Sequence, residues 1–432
     1  MGRRRGPIPS IPARTAPFLR TPLFTLKMAT LSYEDIVFED EQDHLNVKFS
    51  KLFSFRIPKD ELLRIDEGFR AAERQILFPA VGQEAAERKF SHLLQKHIAG
   101  MRNMLGGKPA YYIHRNSGIP LLGTNYFGLV DRGTNIIEVK PMTGCNLSCI
   151  YCSVDEGVTS ARKTDYLVEA AYLVEEFRKL VDMKGIDGIE AHIGGQTDPS
   201  LYAQLKELVS GLASIPQVNV VSIDTNGLVL SEKRIKELKE AGLTRVNLSL
   251  NAISPSIAKK VSGTEYYSVS KVLGLIPFIL KHLDLIVAPV WLPCVNDEEI
   301  PAIIEYILKV DPEAKTIIGI QNFLPYKHGR NPVKPMGYDL FFSKLESLER
   351  KYGVSLIRKR QDFHIITTRQ LSKPFVRGEV IEADYVMPGR LNGEALYQAK
   401  GRVIRVEHGA GRKRAKLRIL RDKHNIFTAQ LL

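Results

Sequence analysis

The chain has 432 residues, 44% of them hydrophobic and 25% charged, ordinary proportions for a globular protein with a large core and one or two smaller modules. No run of ~18 apolar residues occurs, the best stretch being 273–280, so no membrane span is expected. Only four cysteines are present, three of them crowded together, which excludes a disulfide framework and points to metal chemistry in a reducing, cytoplasmic compartment. The formal charge of +13 points to an anionic partner, nucleic acid first.

Residues 1–33 hold six Arg or Lys, five prolines and no acid. No apolar core of ~7–15 residues follows the arginines, so this is not a secretory signal. Residues 1–30 read as a basic, Pro-rich arm, disordered and dispensable, with Met28 as an alternative start. Residues 31–132 read as an accessory domain without a catalytic motif. Val47, Phe49, Leu52, Phe53 and Phe55 suggest strand there, whereas 59–76 and 84–105 have helical spacing.

From 133 to 355 the pattern becomes a strand–helix alternation. "NIIEVK" (135–140), "GIEAHI" (188–193), "VNVVSID" (218–224), "RVNLSL" (245–250), "LDLIVAPV" (283–290) and "TIIGIQNF" (316–323) each read as a buried strand. Amphipathic stretches at 165–181, 201–212, 231–241 and 297–310 separate them. The expected class is α/β, with a parallel sheet that is either doubly wound or rolled into an incomplete barrel. In both, the working edge is the carboxyl end of the strands. Residues 373–432 carry short β-prone runs and 13 Lys and Arg against six acids. They suggest a small β-barrel of the oligonucleotide-binding kind. In "KLRILR" the alternation sets Lys416 and Arg418 opposite Leu417 and Ile419. Arg412, Lys413, Arg414, Lys416 and Arg418 are candidate RNA contacts, the alternative being a solvated edge strand that blocks aggregation.

Cys145, Cys149 and Cys152 form "CNLSCIYC", directly after the first predicted strand. Thiolates suit zinc or iron–sulfur clusters. A structural zinc site wants four protein ligands, and only His192, on a predicted strand, offers a fourth. Three ligands on one loop suggest instead a cluster with one iron left open.

The C-x3-C-x2-C spacing, with Tyr151 before the last cysteine, resembles the signature loop of the radical S-adenosylmethionine (SAM) superfamily. The resemblance covers about 135–353 and implies a partial (β/α)6 TIM-like barrel, flanked here by an N-terminal α+β extension and a small C-terminal β-barrel. It also implies a [4Fe–4S] cluster on the three cysteines, SAM on the open iron, and a reductant protein such as ferredoxin or flavodoxin. Reductive cleavage of SAM would then yield a 5′-deoxyadenosyl radical that abstracts hydrogen from a substrate. "GGQTDP" (194–199) stands where the family has a glycine run ending Glu-Pro. The resemblance implies cofactor contacts at Gly194, Gly195, Gln196 and Asp198, although the shorter acid departs from the pattern and "TDP" could also be a helix cap. "DTNG" and "LSLNA" similarly imply Thr225, Asn226, Ser249 and Asn251.

Cys294, after the fifth strand, is a candidate catalytic residue facing the barrel, or else a small buried residue. Tyr326, Lys327, His328 and Arg330 are candidates for holding an anionic substrate. The tail pattern "GEVIEADYV…GRLNGEAL…GRVIRVEHG…KLRIL" resembles a TRAM domain, an RNA-binding barrel attached to RNA-modifying enzymes. That architecture is similar to tRNA methylthiotransferases, but no cysteine precedes Cys145, so methylthiolation is not expected. The expectation is a radical enzyme of an uncharacterised, archaeal-type branch acting on RNA, with tRNA foremost. The alternatives are a radical enzyme for a small molecule or peptide, and an RNA-binding protein with a degenerate barrel.

Overall fold

The six hydrophobic runs form six parallel strands in a computed structural model of the chain, which describes residues 28–313, 315–409 and 411–432. The basic arm expected at the N-terminus lies outside the described residues up to Met28, and Ala29–Ser32 is already a strand. In spatial order the central sheet runs Ile317–Ile318, Asp284–Val287, Arg245–Leu248, Val218–Thr225, Ile189–Ile193 and Ile136–Lys140. An antiparallel edge strand, Gly128–Asp131, follows. The order follows the sequence without a switch point, so the sheet curls as an incomplete barrel rather than winding in both directions. Helices Ala170–Lys184, Leu205–Ala213, Glu232–Glu240, Val269–His282 and Glu299–Val310 cover its outer face, and their buried leucines and isoleucines pack on the strands.

Three expected helices differ from the structure. In 59–76 the helix ends at Leu63. The Asp66 carboxylate then accepts the Gly68 and Ala80 N–H groups, and Arg70–Ala72 pairs with Gln75–Phe78 as a hairpin. The apolar spacing there fits either period, and the hairpin wins because Ile76 and Phe78 bury on one sheet face. In 84–105 the helix ends at His97, and Arg102–Asn103 joins a four-stranded sheet with Phe53–Pro58. In 165–181 the first four residues form a fully buried strand beside Ala110–Ile113, and the helix starts at Ala170.

The last 50 or so residues form a closed five-stranded barrel: Val380–Pro388, Ala395–Ala399, Arg402–Val406, Thr428–Leu431 and Arg414–Arg421. Residues 414–421 alternate exposed and buried as expected. The barrel has a small core of its own, around Tyr397, Leu417 and Phe427, and also packs into the rest of the molecule. Met387, Leu396 and Val403 belong to the same core as the α/β sheet. The Val403 and Phe427 N–H groups donate to Leu122 and Gly123 carbonyls at 2.8 and 2.9 Å. Gly123 sits at φ +113°, and a Cβ there would lie 2.2 Å from the Val403 carbonyl oxygen, so only glycine allows the approach.

Arg390, between the first two strands of the small barrel, is 0% exposed. Its guanidinium pairs with Glu156 and, at 2.8 Å, with Asp165, and donates to the Thr164 carbonyl at 3.0 Å. Asp165 also accepts from Thr143 and Asn103, and Glu156 accepts the Gly144 N–H. N-terminal sheet, cysteine loop and C-terminal barrel therefore meet at one buried cation. Removing one member of such a group strands the remaining charges. The variant Arg390→Met should cost about 3–5 kcal/mol in urea unfolding, measured with the cluster-free protein. A loss below about 1 kcal/mol would show that the three parts do not depend on this contact.

Candidate metal and cofactor site

Cys145, Cys149 and Cys152 lie on the loop leaving the first parallel strand, at the carboxyl edge of the sheet. The loop is held from two sides. Ser148 and Ile150 donate backbone N–H groups to Ser262 and Val261, and Gly263, at φ +67°, passes so close that a Cβ would meet the Ser148 carbonyl at 2.1 Å. On the other side Arg330 donates to Asp155 at 2.7 Å and to the carbonyls of Cys149 and Glu156. Arg330, expected to hold an anionic substrate, is instead consumed in bracing this loop.

The three cysteines face a cavity of about 400 Å³. Gly195, Thr197, Asp198, Thr225, Asn226, Ser249, Asn251, Tyr267 and Tyr326 line it with them. The strand-end residues expected to meet a cofactor therefore do converge there, apart from Gly194 and Gln196. Gly194 makes room for Asp224, which a Cβ would meet at 2.7 Å. Gln196 is 4% exposed and turns away from the cavity, its side-chain oxygen 3.5 Å from Arg390. Gly195 lies over Lys140.

Several of these side chains are already satisfied by one another. Asp198 caps the turn at Pro199–Leu201 by accepting from Ser200, and it also accepts from the Thr225 hydroxyl and the Asn226 N–H. Even so, burial raises its carboxyl above the ordinary value. Asp198 is thus the cap that its sequence context allowed, and it ties the second strand end to the third. Asn226 donates to Asn146 inside the cysteine loop, and Asn251 donates to the Tyr151 hydroxyl and accepts from Val290. These amides brace the loop against the sheet. Ser249 lines the cavity without a side-chain hydrogen bond among the described residues.

Cys294 does not look into the barrel. It is exposed, at φ +63°, in a turn fixed by Asp297, and it is not part of the cavity wall. The sequence placed it after the fifth strand, but the tight turn after Trp291 carries it outward. Nor does His192 join the cysteines. Its nitrogens lie 2.9 Å from Ser222 and 3.0 Å from Asp224, inside the curl of the sheet. Sequence reasoning missed Glu156, Arg390 and Tyr267, which carry no local motif because their partners are distant in the chain.

The donor set fits an iron–sulfur cluster. The cysteines have no disulfide partner. Burial pushes Cys149 up to about 12 and raises Cys145 and Cys152 too, so the thiols stay protonated until a bound cation offsets the charge. The Leu147 and Glu156 N–H groups point at the Cys145 and Cys152 sulfurs at 3.5 and 3.3 Å, as they would to a ligating thiolate. Among the described residues no three His, Cys, Asp or Glu converge on one metal ion. Thiolates that each hold a different iron of a cluster do not need to.

A curled six-stranded parallel sheet with three unpaired thiols at its carboxyl edge is an α/β fold whose working edge suits a thiolate-held metal cluster. The radical SAM superfamily model matches residues 139–307. An uncharacterised protein of Methanocaldococcus jannaschii is 42% identical over 350 residues, covering 74% of this chain and 80% of the relative. The chain belongs to the radical SAM superfamily, which implies a [4Fe–4S] cluster and SAM. GTP 3′,8-cyclase of Listeria welshimeri is 37% identical over 117 residues, 27% of this chain and 33% of the cyclase. This chain thus spans about a third of the length of the cyclases first matched. The solved radical SAM methyltransferase TsrM of Kitasatospora setae overlaps 46% of this chain and 38% of its own, at 18% identity and a TM-score of 0.37. No helix among the described residues is long and apolar enough to cross a membrane.

Two outcomes check this site. After anaerobic reconstitution the chain should hold about four irons, the content of one cubane, and Cys149→Ala should lose both the iron and its visible absorption without losing the fold. Below the site, despite burial, the Asp224 carboxylate holds the His192 imidazole up to about 10. Because the folded value lies above the free value of ~6.5, this pair's stabilisation is complete below that value and is lost as the pH rises through about 10. The His192 ring signals in NMR should therefore stay flat between pH 6 and 8.5; a midpoint near 6.5 would show that the pair is not formed.

Proposed function

We propose that this protein is a radical SAM enzyme that modifies RNA, with tRNA the foremost substrate. The observation that carries the reading is the exposed basic strand of the C-terminal barrel, a barrel that also touches the loop at the cysteine cavity. Arg412, Lys413, Arg414, Lys416 and Arg418 are all exposed, and among the described residues only Arg414 of these is engaged with an acid, Glu382. The loop that supplies Tyr326 to the cavity also supplies Lys327, whose ammonium lies 4.0 Å from Glu407, just before the basic run. A polyanion bound by this barrel would be held on the module that contacts the Tyr326–Lys327 loop. The TRAM-like pattern of the segment agrees with such a role.

In this reading Cys145, Cys149 and Cys152 would hold a cluster that, with one electron from a reductant protein, would supply a 5′-deoxyadenosyl radical from SAM with release of methionine. The chain's own residues do the rest. The mutually bonded strand-end amides keep the cavity open without substrate, Ser249 offers a free hydroxyl to the cofactor, and the tyrosines screen the cavity from water. A nucleoside drawn to the mouth by the basic strand would place its ring beside Tyr326. A second reading has its own support. GTP 3′,8-cyclases act, by name, on a guanosine nucleotide, and a small phosphorylated substrate would suit the same cavity.

Mass spectrometry of tRNA nucleosides from cells with and without this protein decides between them. A nucleoside that depends on the protein and disappears with Cys149→Ala is expected; unchanged nucleosides would leave the small-molecule reading. RNA affinity should fall about 10–100-fold between 50 and 200 mM salt, as for three to five phosphate contacts. Lys416→Glu with Arg418→Glu should abolish most of it. These exposed positions are a cleaner probe than deleting 373–432, which would uncover the shared core and leave Glu156 and Asp165 without Arg390.

A further inference from the structure

A second chamber, of about 720 Å³, occupies the inner face of the curled sheet below the cysteine cavity. The two share a wall made by Asp224, Asn247, Ala288 and Gln321. A closed eight-stranded barrel fills this space with branched apolar side chains. Here six strands leave it open, helix Tyr338–Tyr352 and residues 356–365 close its side, and charged groups stand on the strands. Its size is that of a site for a small organic ligand.

The charges in it do not balance. Glu138 is matched by Arg132 and Lys140, Glu190 by Arg245 and His192, and Asp224 by His192 and Asn247. All three carboxylates in the wall are thus taken. Two guanidiniums, those of Arg358 and Arg360 on the segment that closes the side, form no salt bridge among the described residues, although Glu349 lies near enough to Arg358 for its carboxyl to be lowered by it. The Arg358 Nε is buried with no hydrogen-bond partner, a costly state for a donor unless a ligand completes it. Beside these cations the wall is apolar and aromatic, with Phe341, Phe342 and Phe363. Two guanidiniums free of salt bridges can together take one dianion, and a phosphomonoester carries nearly two negative charges at neutral pH. Guanidiniums bind such a group in bidentate fashion.

We propose that this inner chamber binds a small phosphomonoester carrying a flat ring, its phosphate held by Arg358 and Arg360 and its ring set against the three phenylalanines. The ring would lie on the far side of the Asp224–Asn247 wall from the cysteines. This site is separate from the basic strand and needs neither cluster nor RNA.

The test is calorimetric titration of the full chain, without SAM, using phenyl phosphate, inorganic phosphate and benzyl alcohol as probes. The chain's single tryptophan, Trp291, provides a second readout, because its ring packs 6.2 Å from that of Phe341 in the chamber wall. Phenyl phosphate is expected to bind one to one, at least tenfold more tightly than either other probe, and to change the Trp291 emission. Arg358→Ala with Arg360→Ala should weaken it at least tenfold, the loss of about 1.4 kcal/mol or more expected for charge-assisted hydrogen bonds. Arg360→Glu alone, at an exposed position, should do the same if the double variant does not fold. Lys416→Glu with Arg418→Glu should leave binding unchanged. Binding unaffected by the arginine changes, lost with the basic strand, or equal for inorganic and phenyl phosphate would overturn the proposal. Because no probe requires RNA or the cluster, failure here and failure of the RNA reading are told apart.

Discussion

The contact of Arg390 with Glu156 and Asp165 is the constraint on which the rest of the structure depends. A guanidinium with no exposed surface is stable only where carboxylates and carbonyls satisfy its donors. Here those partners come from three regions of the chain: the cysteine loop, the buried strand at Asp165–Val168, and through Asp165 the N-terminal Asn103. Burial pushes the Glu156 carboxyl up, and the adjacent guanidinium, with the Lys108 ammonium beyond it, holds it back. The same Glu156 receives the Gly144 N–H and offers its own N–H to Cys152. The position of the metal-binding loop thus depends on a residue more than 200 positions later.

A similar economy governs the cavity. Asp198, Thr225, Asn226 and Asn251 bond to one another and to the cysteine loop, so the strand ends are set before any cofactor arrives. Such preorganisation costs hydrogen-bonding capacity, since groups spent on the frame are not free to hold a ligand. Below them the inner face of the sheet is charged rather than packed. Six strands do not close, and an open lumen must either fill with apolar side chains or pair its polar ones. This chain takes the second course along Glu190, His192, Asp224 and Arg245, and leaves the Arg358 Nε at its side wall without a partner among the described residues.

The six parallel strands were legible because each is a short β-prone run between turn signals, its apolar residues packed under the helices while polar ones at alternate positions face the lumen. The basic strand at Arg414–Arg421 was legible through its period of two. The hairpin at Arg70–Phe78 and the strand at Asp165–Val168 were not, because short segments with mixed spacing fit either period until their sheet partners are known. Asp198 and Gln196 illustrate the limit for the site. A motif places a residue on a loop, but whether its side chain faces the cavity or a neighbour depends on what packs behind it.

The sequence by itself determined the metal chemistry, because three thiols spaced within eight residues remain together however the remainder folds. It also determined the alternation of strands and helices, which periodicity encodes locally. Tertiary structure alone decided that Cys294 points outward, that Arg330 braces the loop, and that the C-terminal barrel is joined to the cysteine loop through Arg390. Each of these is a contact between residues far apart in the chain. Burial and hydrogen-bond satisfaction there are properties of the packed assembly, which no local pattern records.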